Sequence, residues 1–449
     1  MRCGRWASMI LMIGLGWTLG ACRAPLAAEE PTAILPAGEV TSTVLAPSGT
    51  PSGAPAETIE ATPEGPPTPT PPLPTPASAP IAHLAGGQAL SLEWIHMVNL
   101  TAGWAIGGMP DQEPHFLRTS DGGLHWMDVT PPETADPVDG PRRGALAYTI
   151  DAQRAWLVYS GVMHPTAGLI PAVVWRTVDG GTTWLPSALI EPPGGSGWFE
   201  PSEFGLLDDG FGWLMAAIDA GMSHQYIAMY TTRDGGAHWL RVVDPYGDQP
   251  VQSCPKTGLE FADGLHGWLT RDCGGLIDQV TIEMTGDGGT TWASRPVPAP
   301  AALPSGFTYP YLCRPHSIRL TSASAGSVAV SCRQYLETPT PGGDTLADGP
   351  HALYRTQDGG ATWDVREYPG GDVLWLDDAR GWALGRRIYR TESGGASWEL
   401  VHEVNWDGQF TFVDTQNGWA VARDGEEVAL VRTSNGGASW SLLKPVTAP

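Results

Sequence analysis

From about residue 85 onward, short apolar stretches alternate with polar turns rich in Gly, Asp and Asn. Within these stretches apolar residues recur at every second position, which favours β-strands, and we find no helical period. The stretches recur in a fixed order: an apolar strand, a turn, a strand that usually contains Gly-Trp, another strand, a turn that usually contains Asp-Gly-Gly, and a strand opened by Trp. The pattern predicts an all-β domain of repeated four-stranded units.

The second turn of each unit, from its Thr to its Trp, is called the DGG turn below. Seven copies occur, within RTSDGGLHW, RTVDGGTTW, TTRDGGAHW, MTGDGGTTW, RTQDGGATW, RTESGGASW and RTSNGGASW. Residues 85–449 give about 52 residues per unit, close to the roughly 40 to 50 of known propeller blades. The sequence therefore predicts a seven-bladed β-propeller with four-stranded antiparallel blades. The first and last units each supply their own strands, so a shared closing strand is not evident and the sequence leaves open how the ring closes, although residues near His83 could provide such a strand.

The residue types of the DGG turn suit a structural role. Asp accepts hydrogen bonds from backbone N–H groups of its own turn, the second Gly allows a positive φ, and Trp can bury its ring while its N–H reaches a carbonyl. In two units Ser393 and Asn435 replace the acid, and neither can serve as a catalytic carboxylate or strong metal ligand. We interpret the turns as structural, with a direct ligand role as the alternative. The positions are Thr119, Asp121, Gly123, Trp126, Thr177, Asp179, Gly181, Trp184, Thr232, Asp234, Gly236, Trp239, Thr285, Asp287, Gly289, Trp292, Thr356, Asp358, Gly360, Trp363, Ser393, Trp398, Asn435 and Trp440.

The pattern T-x-D-G-G-x-T-W resembles the Asp-box, also called the bacterial neuraminidase repeat. The full unit, with GWAxG before RTxDGGxTW, resembles the propellers of the photosystem II assembly and stability factor family over nearly all of residues 85–449. The resemblance implies a seven-bladed, non-catalytic propeller that serves assembly. The motif is specific for a fold, whereas function depends on a site.

The N-terminal residues have a different composition. Arg2 and Arg5 precede an apolar run, and the stretch LGAC then ends at Cys22. Residues 1–21 are expected to be a signal peptide, and LGAC resembles a bacterial lipobox, which implies lipidation of Cys22. The alternatives are an ordinary secretory signal or an uncleaved anchor. Residues 22–84, rich in Pro and Thr, are expected to form a flexible linker. The protein is thus expected to be exported and anchored to a bacterial membrane.

Charge and motif content limit the partners. The formal net charge is −23, and without residues 1–21 there are 23 basic against 48 acidic side chains. Such an acidic chain is a poor candidate for binding nucleic acid or anionic lipid. No H-x-x-x-H, C-x-x-C or phosphate-binding loop occurs, so we expect no metal and no cofactor. The expected partner is a protein or envelope component, and the expected state is a monomer.

An Arg precedes the Thr of the DGG turn in five units. At corresponding places around a ring these guanidinium groups could bind acidic groups of a partner. The alternative is that each pairs locally with backbone carbonyls or with an acid on the adjacent blade. The residues are Arg118, Arg176, Arg355, Arg390 and Arg432.

Four cysteines lie in the fourth and fifth units, as two pairs with the same separation of 19 residues. If each hairpin is symmetric about its turn, the two cysteines of a pair face each other within disulfide range. We predict the disulfides Cys254–Cys273 and Cys313–Cys332, with Cys273–Cys313 as the alternative pairing.

Two functions are compatible with the sequence. The first is a non-enzymatic, lipid-anchored scaffold that binds or assembles proteins, with no catalytic residue assigned. The alternative is a secreted glycoside hydrolase, sialidase-like or glucanase-like, that uses the central funnel. The R-I-P motif of sialidases is missing, and the count of seven units differs from their six blades. Two facing carboxylates with nearby aromatic side chains in the funnel would favour the hydrolase.

Overall fold

The computed structural model describes residues 80–109, 113–133, 144–161, 163–164, 168–169, 172–191, 193, 199–221, 224–247, 249–273, 279–303, 307, 310–340 and 344–449. These residues form a seven-bladed β-propeller of four-stranded antiparallel blades, as predicted. The predicted signal peptide, Cys22 and all but the last five residues of the predicted linker lie outside the described residues. Among the described residues no helix is long and apolar enough to cross a membrane.

The strands of each blade pair with one another in sequence order. Blade 1 comprises β1 (Ser91–Met97), β2 (Gly103–Gly108), β3 (His115–Thr119) and β4 (His125–Asp128). Blade 2 comprises β5 (Ala145–Thr149), β6 (Ala155–Tyr159), β9 (Val174–Thr177) and β10 (Leu185–Pro186), with an inserted hairpin of β7 (Met163–His164) and β8 (Gly168–Leu169). Blade 3 comprises β11 (Glu200–Leu206), β12 (Gly212–Gly221), β13 (His224–Thr232) and β14 (Leu240–Val243). A 3-10 turn at Pro250–Gln252 precedes blade 4.

Blade 4 comprises β15 (Lys256–Phe261), β16 (Gly267–Arg271), β17 (Thr281–Thr285) and β18 (Ala293–Pro296), and blade 5 comprises β19 (Tyr311–Leu320), β20 (Gly326–Tyr335), β21 (Leu346–Thr356) and β22 (Asp364–Glu367). Blade 6 comprises β23 (Asp372–Trp375), β24 (Gly381–Leu384), β25 (Arg387–Thr391) and β26 (Glu399–Glu403). Blade 7 comprises β27 (Asp407–Phe412), β28 (Gly418–Asp424), β29 (Glu427–Thr433) and β30 (Ser441–Leu443). A last strand, β31 (Val446–Thr447), follows. The first strands of most neighbouring blades contact each other, for example β15 and β19 or β27 and β1, and the space that the first strands surround is called the central channel below.

The Gly-Trp strands connect neighbouring blades. The ring of Trp104 is fully buried and stacks on Phe116 at 5.2 Å, and its Nε1–H donates to the carbonyl oxygen of Asp151 in blade 2. The corresponding tryptophans Trp156 and Trp382 donate to carbonyls of the DGG turns one blade further on. Each such ring therefore fills the space between two blades and also fixes their relative position by a hydrogen bond.

The ring is closed by contacts between the last and first blades. Trp419 of blade 7 donates its Nε1–H to the carbonyl oxygen of Gly122 in blade 1, at 2.9 Å. In addition, β31 pairs in parallel with β4 of blade 1. This pairing answers the question of ring closure that the sequence left open. In the sequence β31 reads as the end of β30, but Pro445 has no N–H to continue that strand, and the chain moves to blade 1 beyond it. Segment 80–90 adds contacts, such as the Leu84 N–H to Asp128 Oδ2.

Both predicted disulfides are present. The Cα atoms of Cys254 and Cys273 are 5.0 Å apart, and those of Cys313 and Cys332 are 4.0 Å apart. Cys313 lies directly opposite Cys332 in the register of β19 and β20. The pairing within each hairpin is therefore confirmed.

The symmetric turns from which this pairing was predicted are wrong by one residue. A turn centred on Asp263 and Gly264 would place Phe261 opposite His266. In the structure Phe261 pairs with the next residue, Gly267. A β-bulge between Lys256 and Gly258 then removes the offset. A bulge adds one residue to one strand only, so the two errors cancel at the cysteines. Blade 5 has a similar irregularity between His316 and Arg319.

Candidate functional site

The acids of the DGG turns are fully engaged in hydrogen bonds within their own turns. In blade 5, Asp358 accepts from the Thr356 hydroxyl at 2.8 Å and from the backbone N–H and hydroxyl of Thr362 at 2.9 and 2.6 Å. Gly360 adopts a φ of +81° and donates its N–H to Thr356 Oγ1. The hydrogen bonds from the Thr362 hydroxyl and backbone lower the pKa of Asp358 to about 2. These contacts stabilise the ionised carboxylate inside the turn.

The two turns without an acid keep the same hydrogen bonds. Ser393 accepts from the N–H of Ser397 at 2.9 Å, and Asn435 accepts from the N–H of Ser439 at 2.9 Å. An acceptor oxygen is therefore what the turn requires, whether or not it carries charge. This agrees with the structural interpretation of the motif.

The tryptophans that end the turns fall into two groups. In Trp126, Trp239 and Trp292 the Nε1–H donates to the carbonyl oxygen of the second Gly of the turn, and Trp184 donates to Val129. The other three have no hydrogen-bond partner for Nε1 among the described residues, contrary to our expectation. They are Trp363, Trp398 and Trp440.

The arginines that precede the turns contact their surroundings locally. Arg118 donates Nε–H to the carbonyl oxygen of Ala152 in blade 2, and Arg355 donates Nη1–H to that of Gly394 in blade 6. Both are contacts to the next blade. Arg390 instead forms an ion pair with Glu399 of its own blade at 3.2 Å.

The remaining two arginines of the set differ again. Arg432 lies over the ring of Trp419, 4.9 Å from its centroid. Arg176 has a buried Nη1 with no hydrogen-bond partner among the described residues. In blade 3, where Thr231 replaces the Arg, Arg233 donates to the carbonyl oxygen of Gly264 in blade 4. Sequence reasoning missed Arg233, although it is a basic residue only two positions away.

Two carboxylates line one cavity of the central channel. Glu203 on β11 and Glu260 on β15 share a cavity of about 380 Å³ with aromatic side chains that include Tyr148, Phe204 and Trp213. Both glutamates are half-buried. Glu203 forms no hydrogen bond with any residue that the structure describes. An acceptor-only carboxylate is thus held against aromatic surface without donors.

The surroundings of both carboxyl groups favour the protonated form. Burial, and then the negative charge of Glu260, raise the pKa of Glu203 to about 7. Burial also raises the pKa of Glu260 to about 7, against the opposing effects of a hydrogen bond from the Leu320 N–H and the charge of Arg319. The Tyr148 hydroxyl has a raised pKa because of burial and then the charges of Glu260 and Asp208.

Sequence reasoning did not single out these two glutamates. Each is the one charged residue in an apolar part of a first strand, within SEFGLL and TGLEFA. That signal was present, but a β-bulge between Pro201 and Glu203 and another between Lys256 and Gly258 interrupt the alternation along these strands. Because each bulge shifts the following residues to the other face, the sequence alone does not tell which residues point into the channel.

A second cavity, of about 420 Å³, adjoins the first. Thr257 and Ser317 line both. His316 is one of its lining residues: Nδ1 is 2.9 Å from Ser317 Oγ and 3.4 Å from Asp372 Oδ1, and Nε2 is 2.9 Å from Ser331 Oγ. The hydrogen bond from His316 lowers the pKa of Asp372.

The same cavity contains an exposed cation, Arg314. Its guanidinium group forms no hydrogen bond with other described residues, but its charge helps to lower the pKa of Asp372 in the same cavity. Within the described part of the chain, no group of three or more His, Cys, Asp or Glu side chains could hold a metal ion. Among the charged groups of these two cavities, Glu203 is the one that receives neither a hydrogen bond nor an opposite charge from a described residue.

No protein-family profile and no curated protein sequence matches this chain. Several solved structures are similar to it. A puromycin-hydrolyzing peptidase of Mycobacterium tuberculosis is 14% identical over 81% of this chain and 56% of its own, with a TM-score of 0.50. A structure of YCF48 bound to D1 peptide is 14% identical over 81% of this chain and all of its own, with a TM-score of 0.44. A GH74 enzyme of Niastella koreensis is 14% identical over 78% of this chain and 62% of its own, with a TM-score of 0.36. At these identities the likeness concerns the fold alone.

Proposed function

We propose that this protein is an extracytoplasmic, lipid-anchored propeller that binds a partner protein, and that a cationic group of the partner enters the central channel at Glu203 and Glu260. The observation that carries the proposal is the state of Glu203: half-buried, beside a second carboxylate, and without a hydrogen bond from any described residue. The lipobox-like stretch before Cys22 and the Asp-box-like turns support an exported scaffold.

The physical argument concerns the cost of the two carboxylates. Burying a charged carboxylate is unfavourable, and the raised pKa values of Glu203 and Glu260 express that cost. The cost is greatest at Glu203, which has neither a donor nor a counter-ion among the described residues. A lysine ammonium or an arginine guanidinium between the two carboxylates would supply both charge and donors. A cation of the partner therefore provides the interaction that the propeller itself does not.

A glycoside hydrolase is the second candidate, because two carboxylates do share a cavity with aromatic side chains. Glycoside cleavage requires one carboxyl group to hold its proton and the other to be ionised, so their environments must shift the two pKa values apart. Here the pKa values of Glu203 and Glu260 are both raised to about 7. Neither carboxyl is therefore set apart as the acid, whereas the lack of a hydrogen-bond donor at Glu203 favours a cation there.

The test uses the full lipidated chain in detergent. Calorimetry measures the Kd of a peptide with both ends capped and one lysine between glycines, against the same peptide with norleucine. We expect the lysine peptide alone to bind, and Glu203→Gln or Glu260→Gln to weaken it about tenfold or more, as loss of a desolvated ion pair does. The control Asp358→Asn should bind normally.

Two results would overturn the proposal. One is equal binding of the lysine and norleucine peptides. The other is depolymerisation of a polysaccharide by the wild-type protein that is lost in Glu203→Gln, which would establish the hydrolase instead.

A further inference from the structure

The second cavity of the channel contains a histidine that links a serine hydroxyl to a carboxylate. Nε2 of His316 is 2.9 Å from Ser331 Oγ. Nδ1 is 2.9 Å from Ser317 Oγ and 3.4 Å from Asp372 Oδ1. All four residues line the cavity of about 420 Å³, a volume within the range of about 300 to 1,000 Å³ that is typical of ligand pockets. A hydroxyl in contact with a base, and a further group that orients the base, is the arrangement that nucleophilic catalysis uses.

The contacts of the cluster indicate where its protons lie. The hydrogen bond from His316 lowers the pKa of Asp372, and a carboxylate only accepts, so Nδ1 carries the imidazole proton. Nε2 of a neutral imidazole then accepts from the Ser331 hydroxyl. The Tyr368 hydroxyl lies 2.7 Å from Ser331 Oγ, its shortest contact, and as the donor there it leaves the Ser331 proton for His316. His316 is therefore placed to remove the proton of Ser331, as a general base does.

Strands β19 and β20 hold the serine and the histidine on one face of blade 5. Arg314 lies directly opposite Ser331 in their register, and the disulfide Cys313–Cys332 joins the two strands one residue away. Opposed residues lie on the same face of an antiparallel pair, as do residues two positions apart in a strand. Arg314, His316 and Ser331 therefore share a face. The positive charge of Arg314 is on the side where an oxyanion forms when Ser331 attacks a carbonyl group.

The backbone next to His316 is strained. Ser317 has a φ of +50°, a left-handed conformation that is uncommon for residues other than Gly and is concentrated at functional sites. It lies in the β-bulge between His316 and Arg319, and its Oγ accepts from the Val373 N–H of blade 6 at 3.0 Å. This contact holds Ser317 Oγ against Nδ1 of His316, so the strained residue helps to orient the imidazole ring.

We propose that this cluster is an esterase site in which Ser331 is the nucleophile and His316 the general base. The bond between Ser331 Oγ and the acyl carbon forms as the hydroxyl proton passes to His316 Nε2, and the ester C–O bond breaks as that proton passes to the departing alkoxide. Water then adds to the acyl carbon and gives a proton to His316, and the acid leaves as Ser331 takes that proton back. The net reaction converts ester and water into acid and alcohol. Asp372 and Ser317 act through His316 and are positioning residues.

The lining of the cavity indicates the class of ester. Leu384 is the one apolar side chain among the described lining residues, so there is little apolar surface to bury a long acyl chain. The hydroxyl and charged groups of the lining, such as Thr257 and Arg314, suit an alcohol that itself carries hydroxyl groups. The substrate class is therefore a short acyl ester of a polar alcohol. Because neither Glu203 nor Glu260 lines this cavity among the described residues, the activity does not depend on the proposed cation site.

The test is covalent labelling of the full lipidated chain in detergent with an alkyl fluorophosphonate, whose phosphorus bonds to an activated serine oxygen as fluoride leaves. Peptide mapping by mass spectrometry should place the adduct on Ser331. His316→Gln should slow the labelling about a hundredfold or more, a usual contribution of a general base. The control Ser441→Ala, which removes an exposed serine on β30, should be labelled at the wild-type rate.

Turnover of p-nitrophenyl acetate tests the positioning of His316. Asp372→Asn changes an exposed side chain and should lower kcat about tenfold or more with little change in KM, because an amide no longer selects the tautomer with the proton on Nδ1. Wild-type protein without an adduct on Ser331, or turnover that persists in Ser331→Ala, would overturn the proposal. The first result needs no variant, so it decides the question even if a substitution in the cluster unfolds the chain, which a thermal melt of each variant checks.

Discussion

The acids of the DGG turns and the acids of the channel belong to the same repeated blades, but their environments are opposite. Asp358 accepts three hydrogen bonds from its own turn and has a pKa lowered to about 2. Glu203 accepts none from a described residue and has a pKa raised to about 7. The acid that is repeated in the DGG turns stabilises its blade, whereas the channel acid Glu203 is left for a ligand.

This difference has a defined effect of pH on stability. A carboxyl group with a lowered pKa, such as Asp358, stabilises the fold above its unfolded pKa, and that contribution is lost as the pH falls through its folded pKa. A carboxyl group with a raised pKa, such as Glu203, destabilises the fold when it is ionised. Its cost to stability is small below the unfolded value of 4.5 and grows as the pH rises toward its folded pKa of about 7.

The largest effect on the free energy of unfolding is expected from removing a buried tryptophan of a DGG turn. Trp126 is fully buried and donates Nε1–H to Gly123 at the end of its DGG turn. Trp126→Ala should lower the free energy of unfolding by about 3 to 5 kcal/mol, as such core changes do. Trp398→Ala, at a half-buried ring without a hydrogen bond, should cost less. Denaturant unfolding measures both, and equal losses would show that burial in the turn does not govern its stability.

The next effect concerns the disulfide beside the channel. Replacing Cys313 and Cys332 together by Ser should cost about 3 kcal/mol, the chain-entropy estimate for a loop of roughly 20 residues. Melting curves with and without reductant measure the stability. Equal stability of the wild type and the double variant would mean that the disulfide does not stabilise the hairpin of blade 5.

A smaller effect of opposite sign is expected at the channel acid. Glu203→Gln should stabilise the fold at pH 8 by about 1 to 3 kcal/mol, because wild-type protein must there ionise a carboxyl whose pKa is raised to about 7. At pH 4 the variant and wild type should unfold with nearly equal free energies, since the carboxyl is then largely protonated in both states. Urea titrations at the two pH values measure this. A variant less stable than wild type at pH 8 would contradict the assigned environment of Glu203.

The smallest effect should come from an acid-to-amide change in a DGG turn. Asp287 accepts from Thr285 and from the N–H and hydroxyl of Thr291. Asp287→Asn should cost less than about 1 kcal/mol because the acceptor oxygen remains, as at Asn435, while Asp287→Ala should cost about 1 to 2 kcal/mol. Differential scanning calorimetry compares the two. A larger loss for Asn than for Ala would mean that charge, rather than the acceptor, matters in the turn.

The sequence predicted the fold because the fold repeats. Seven copies of one turn fix the number of blades, and the cysteine spacing gave both disulfides. The sequence left the ring closure open because Val446 and Thr447 follow β30 after only two residues. The channel acids were missed because they occur once each and lie beside bulges, which arise from local backbone geometry rather than from a repeated residue pattern. The features that all blades share could therefore be predicted from the sequence. The features that distinguish one blade from another, such as the channel acids, became visible only in the structure.

The most direct test of the account is the number of protons released when the channel binds a cation at pH 7. Binding of the capped lysine peptide should ionise a carboxyl that is partly protonated in the free protein, so calorimetry in buffers of different ionisation enthalpy should show net proton release of up to ~1 per site. The release should vanish in the Glu203→Gln, Glu260→Gln double variant and persist in Asp287→Asn. Binding without proton release that survives the double variant, or that is lost in Asp287→Asn, would contradict the assignment of the channel acids as the functional ones.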